Sequence, residues 1–165
     1  MKIQLINTPL KKYTFESPKI KEWVESVCVG RTLNLFAGKT KLCIDEYRID
    51  VDKDMFADTY LDAYDFVKNC VDKYDTVLLD PPYSYRKSIE FYKGNYTSKF
   101  KLIADELPRI TKRVISFGYH TTFMGKKRGF ELEELCVFGH SGAQHATIAI
   151  VEVKEVKSED TKKLV

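Results

Sequence analysis

The 165-residue sequence predicts an α/β fold: a mostly parallel sheet with one antiparallel hairpin near its end and helices packed on its faces. Three observations predict it. Short apolar runs, Thr32 to Gly38 and Tyr74 to Asp80, stop abruptly at a glycine or at prolines, as buried strands do. Segments with helical spacing of apolar residues lie between such runs. Two longer runs, Phe130 to Phe138 and Ala146 to Val153, flank Gly139-His140-Ser141-Gly142 in the manner of a hairpin.

Taken in order, Ser17-Pro18 reads as a helix start, a serine N-cap followed by a proline at the first helical position, and the helix runs through Trp23 to Val27. Thr32-Leu33-Asn34-Leu35-Phe36-Ala37-Gly38 is a strand yielding to a tight turn, and Tyr47 to Val51 is a second strand by alternation. Leu61 to Val71 carries a modest helical pattern. Tyr74 to Asp80 is a third strand, which Pro81-Pro82 forces out of the sheet. Ser98 to Leu107 is helical in its spacing and limited by Pro108, and Val114 to Phe117 is a further strand. The charged tail, 154–165, is expected to fray, leaving 1–153 as a single domain.

Composition narrows the function classes. Hydrophobic residues at 44% and charged residues at 31% describe a globular chain, and a formal charge of +3 is too small for a protein that holds nucleic acid by charge alone. Cys28, Cys43, Cys70 and Cys136 have no paired or zinc-finger spacing and read as reduced core thiols, with no metal site implied. The N-terminus lacks a secretory pattern and no long apolar run exists, so a cytoplasmic protein without membrane attachment is expected.

In an open parallel sheet, ligands gather at the carboxyl ends of the strands, where Gly38, Asp50, Asp52, Asp62 and Asp80 all fall. The sharpest signal is Asp80-Pro81-Pro82-Tyr83. An exocyclic amine on a nucleobase is a poor nucleophile, because its lone pair is delocalised into the ring. A site that methylates it must accept hydrogen bonds from the amine and hold the nitrogen in line with the methyl donor. A carboxylate and a backbone carbonyl stiffened by prolines supply such acceptors with little freedom to lose, and an adjacent aromatic ring can stack on the base.

These residues resemble the class I S-adenosylmethionine-dependent amino-methyltransferases of nucleic acids, of the cytosine N4 and adenine N6 type. Asp80, Pro81, Pro82 and Tyr83 match that family's motif IV, and Phe36, Ala37 and Gly38 match its aromatic-x-Gly motif I. The resemblance implies a Rossmann-like fold with a seven-stranded type of sheet and S-adenosylmethionine as cofactor. It implies catalysis by Asp80, Pro81, Pro82 and Tyr83, and cofactor binding by Phe36, Ala37 and Gly38. Asp50 or Asp52 would serve the ribose and Asp62 the adenine side. Only a few residues separate Gly38 from Tyr47, so the first crossover helix is expected to be very short or missing, with Lys39 and Thr40 offering other contacts to the cofactor carboxylate. Tyr13-Thr14-Phe15 resembles the segment that covers the methionine end.

Aromatic and basic residues interleave after the proline turn, and Tyr85, Arg86, Lys87, Tyr92 and Tyr96 are candidates for stacking on bases and meeting phosphates. Lys126-Lys127-Arg128 is a second basic cluster, for which a solvated turn is the simpler reading. His120 falls on the functional edge. So short a chain leaves no insert to read a DNA recognition sequence, so RNA is the expected partner, with ribosomal RNA or a ribosomal precursor favoured and a partner protein able to supply specificity. Guanine N2 methylation, DNA amino-methylation, glutamine methylation in a protein and a non-catalytic RNA-binding subunit are the competing readings.

Overall fold

In a computed structural model of the chain, described over residues 1–82 and 99–155, eight strands form one sheet. They are β1 (Lys2–Asn7), β2 (Thr32–Leu35), β3 (Glu46–Asp50), β4 (Thr59–Tyr60), β5 (Thr76–Leu79), β6 (Arg113–Gly118), β7 (Phe130–Gly139) and β8 (Thr147–Lys154). The order across the sheet is β1-β7-β8-β6-β5-β2-β3-β4. β2 lies parallel between β3 and β5, β5 lies parallel to β6, and β8 runs antiparallel to both β6 and β7. The helices are α1 (Pro18–Val27), α2 (Ala63–Asn69) and α3 (Phe100–Glu106). No helix among the described residues is long and apolar enough to cross a membrane.

Each central strand is short and buried throughout, because helices or loops cover both faces. One face carries Leu33, Leu35, Ile49, Val77 and Leu79 against α2 and α3. The other carries Leu78, Ile115, Phe117 and Phe138 against α1, where Trp23 meets Phe117 and Phe138 edge to face. α1 starts as its residues dictate: the Ser17 hydroxyl accepts the Ile20 amide and Pro18 takes the first helical position.

Two strands were not foreseen. β4 has only two residues, too few to show a period. β1 adds an eighth strand beyond the seven expected, parallel to β7 at the sheet edge. Its Ile3 and Leu5 are exposed, so it carries little of the burial signal that betrays a strand. It is fastened by polar contacts: Glu134 of β7 accepts both the Gln4 amide and the Trp23 indole N–H.

All four cysteines are free thiols. Burial pushes the Cys28 thiol up to about 11 and the Cys136 thiol up to about 12, which keeps both protonated and unreactive. Cys43 corrects the expectation of a core thiol, for it lies exposed in the loop between β2 and β3.

Candidate active site

β2 ends in a turn whose backbone is under constraint. Phe36 has φ +61°, the only positive value at a non-glycine residue among those described, and Gly38 has φ +65°. A left-handed phenylalanine persists only where its surroundings enforce it. A Cβ placed on Gly38 would meet nothing within 4 Å, so the turn leaves open space where a ligand can touch bare backbone.

The enforcing residues come from β3. Arg48, 3% exposed, spreads its guanidinium across the loops: Nη2 donates to the Ala37 and Gly38 carbonyls at 2.9 and 3.0 Å, Nη1 to the Thr40 carbonyl at 3.0 Å, and Nε to the Phe56 carbonyl at 2.6 Å. Glu46 pairs with Arg48 at 2.7 Å and also accepts from the Asn34 side chain and the Leu42 amide. This buried network occupies the sheet face over β2 and β3, and residues 36–45 contain no helix, as the short β2–β3 spacing implied. Buried charges are tolerated there because nearly every lone pair and N–H is used.

Asp50, at the end of β3, reaches back to the same turn. One of its carboxylate oxygens accepts the Gly38 amide and the other the Asp52 amide, both at 2.9 Å. Burial raises its pKa, while these amide hydrogen bonds oppose the rise.

Asp80 follows β5 directly, and two narrow clefts, about 20 and 40 Å³, meet at it. The first is lined by Tyr13 to Phe15 and Phe36 to Thr40, the second by Phe36, Gly38, Asp50 to Asp52, Met55 and Pro82. The segment Tyr13-Thr14-Phe15 therefore does lie over the glycine turn, and the Lys39 ammonium sits 6.0 Å from the Tyr13 ring centre. On the other side of the turn, Pro81 and Pro82 line a cavity of about 620 Å³. Its walls include Leu79, Phe100, Phe117 and Phe123, and its polar groups include Ser116, His120, Thr122, Lys101 and Arg128. The tetrapeptide's described residues thus form a partition with a cleft on one side and a roomy, aromatic-walled cavity on the other.

His120 is built into that cavity. A side chain on Gly118 would collide with its ring at 2.8 Å, Nε2 lies 3.4 Å from the Ser116 hydroxyl, and the ring faces Phe123 at 6.0 Å. Burial lowers its pKa, which favours the neutral imidazole.

The remaining predicted residues distribute unevenly. Asp52 lines the second cleft, and its carboxylate accepts the Asp54 amide. Asp62 caps α2, accepting the Tyr64 and Asp65 amides, pairs with Lys99 at 3.6 Å, and lines neither cleft. Tyr83, Tyr85, Arg86, Lys87, Tyr92 and Tyr96 lie outside the described residues. Arg48, Glu46, Ser116 and Lys101 escaped the sequence reading. Glu46 and Arg48 carry no signal of their own in the sequence, since as alternating polar residues of β3 they read as a solvated face.

No protein-family model matches the sequence, and no curated protein matches it. Solved structures do resemble the fold. TrmN from Thermus thermophilus superimposes with a TM-score of 0.59 at 14% identity, over 88% of this chain and 50% of that one, so the chain spans half the length of TrmN. A candidate RNA methyltransferase of Pyrococcus horikoshii gives 0.55 at 14% identity, over 85% and 82% of the two chains. Magnesium protoporphyrin IX methyltransferase of Synechocystis, solved with S-adenosylmethionine bound, gives 0.52 at 13% identity, over 84% and 77%. The sheet order and these likenesses define the fold as that of the class I methyltransferases. Enzymes of one fold can act on unlike substrates, so the substrate must be argued from the site.

Proposed function

We propose that this protein is an S-adenosylmethionine-dependent methyltransferase acting on the exocyclic amine of a base in RNA, cytosine N4 or adenine N6, with ribosomal RNA the favoured target. One observation carries the proposal: the Asp80-Pro81-Pro82 turn stands between the glycine-turn clefts and the 620 Å³ cavity. A methyl donor held in the clefts and a base held in the cavity would both border this turn.

The residues present fit the cofactor. Gly38 offers open backbone, Asp50 and Asp52 bring acceptors for ribose hydroxyls to the adjoining cleft, and Lys39, which lines the first cleft, would pair with a carboxylate. The bound cofactor supplies an electrophilic methyl group on a sulfonium. Asp80 accepts hydrogen bonds from the amine, which draws the nitrogen lone pair out of the ring and fixes its direction. Pro81 and Pro82 hold the backbone at that corner rigid, so no reorganisation accompanies reaction. The apolar walls of Phe100, Phe123 and Pro82 exclude water and offer flat surfaces to a base swung out of its stack. Asp62, which caps α2 and lines neither cleft, is given no part in holding the adenine. A methyl-transfer role also draws support from the fold neighbours, one of them described as a candidate RNA methyltransferase.

Mass spectrometry of nucleosides from cells lacking the protein tests the reading. Loss of an N4-methylcytidine or N6-methyladenosine species from RNA is the expected result. Unchanged N4-methylcytidine and N6-methyladenosine with loss of N2-methylguanosine would move the assignment to guanine, and loss confined to DNA would reject RNA.

A further inference from the structure

The basic cluster Lys126-Lys127-Arg128 departs from a loose solvated turn. Gly125 and Gly129, at φ +69° and +77°, bracket it, and the Arg128 and Phe130 amides both donate to the Gly125 carbonyl. Beneath it, Glu152 of β8, 2% exposed, accepts the Phe123, Met124 and Gly125 amides at 3.0, 2.8 and 3.0 Å. Arg128 acts as a rivet: it donates to Asp105 at 2.9 and 2.7 Å and to the Met124 carbonyl at 3.0 Å, and it lines the 620 Å³ cavity. A buried carboxylate gathering three amides is a costly way to build a surface loop, unless the loop must present its side chains in fixed positions.

Arg128 lines the cavity, and the two exposed lysines that precede it in the chain carry positive charge next to that wall. The Lys126 side chain is 85% exposed, and its nearest acid, Glu131, is 3.9 Å away and itself half exposed. Lys127 is exposed and has no ion-pair partner among the described residues. Lys101, exposed on α3 one turn before Asp105, also lines the cavity. Asp105 is engaged by Arg128, and Glu155, joined to Gly129 through its backbone amide, is the other acid nearby.

We propose that Lys101, Lys126 and Lys127 form a phosphate rail for the RNA strand that flanks the base in the cavity, held in place by Glu152 and Arg128. The inference rests on the function proposed above, and it names the contacts that substrate makes outside the reacting base. Lys101 on the wall of an aromatic-lined cavity, with two more lysines adjoining Arg128 of that wall, suits a polyanion that carries flat rings; an anionic lipid surface would satisfy the charges and leave the cavity unused.

The test is the salt dependence of binding to a 20-nucleotide single-stranded RNA, measured for the full chain, for K126A/K127A and for K101A. Lys73 and Lys112 precede β5 and β6, at the ends opposite the site, and K73A/K112A is the charge-matched control. Each rail lysine removed should lower the slope of log affinity against log salt by about 0.7. Affinity for S-adenosylmethionine and melting temperature should stay at their wild-type values, and the control should keep the wild-type slope. A K126A/K127A slope equal to wild type overturns the rail, as does binding of the wild type to phosphatidylserine vesicles with none to RNA. If the wild type binds neither RNA nor S-adenosylmethionine, the proposed function itself fails, an outcome distinct from failure of the rail.

Discussion

At the scale of single residues, the account places unlike demands on Asp80 and His120. Asp80→Ala removes the acceptor for the amine and leaves the glycine turn intact. Transfer should fall by about 100-fold or more, with cofactor affinity within about twofold of wild type. Calorimetry alongside a transfer assay separates the two effects. His120 makes a prediction about pH. Burial lowers its folded pKa, while in the unfolded chain it titrates near 6.5. The unfolded state therefore takes up the proton first, and its stabilisation grows as pH falls below about 6.5. Urea melts should show stability declining from pH 7 toward pH 5, and H120Q should decline less steeply. Parallel declines in both proteins would mean that His120 is not desolvated.

At the scale of elements, the β2–β3 connection is where this chain solves a general problem in its own way. With no crossover helix, the sheet face over Asn34, Glu46 and Arg48 is closed by a polar network that also sets the glycine turn. Arg48→Met leaves the Glu46 carboxylate buried without its cation and should cost about 3–5 kcal/mol. E46Q/R48M, which removes both charges, should recover part of that loss, by chemical denaturation. Equal loss in the single and double variants would deny the coupling. The missing helix was legible in the sequence, because too few residues lie between Gly38 and Tyr47 to build one. What replaces it was not, since Arg48 reads as the polar half of an alternating strand until the topology shows that face to be buried. The same holds for β1, whose Ile3 and Leu5 face solvent, and for Glu152, which binds backbone amides distant in sequence.

At the scale of the whole molecule, the fold class was legible because the central parallel strands β2 and β5 announce themselves as short apolar runs that stop at Gly38 and at Asp80. The tetrapeptide was legible for the same reason: prolines at a strand end have few purposes. The cavity was not, because Phe100, Ser116, His120 and Arg128 come from three separate stretches that only folding brings together. In the proposed function, the clefts at the glycine turn and the cavity beside Pro81 and Pro82 are used at once. The most direct measurement is transfer of a labelled methyl group from S-adenosylmethionine to RNA lacking the native modification, by wild type and by Asp80→Ala. The account predicts label in RNA with the wild type, on an exocyclic amine, and none above background with the variant despite normal cofactor binding. Equal labelling by the two proteins would contradict it.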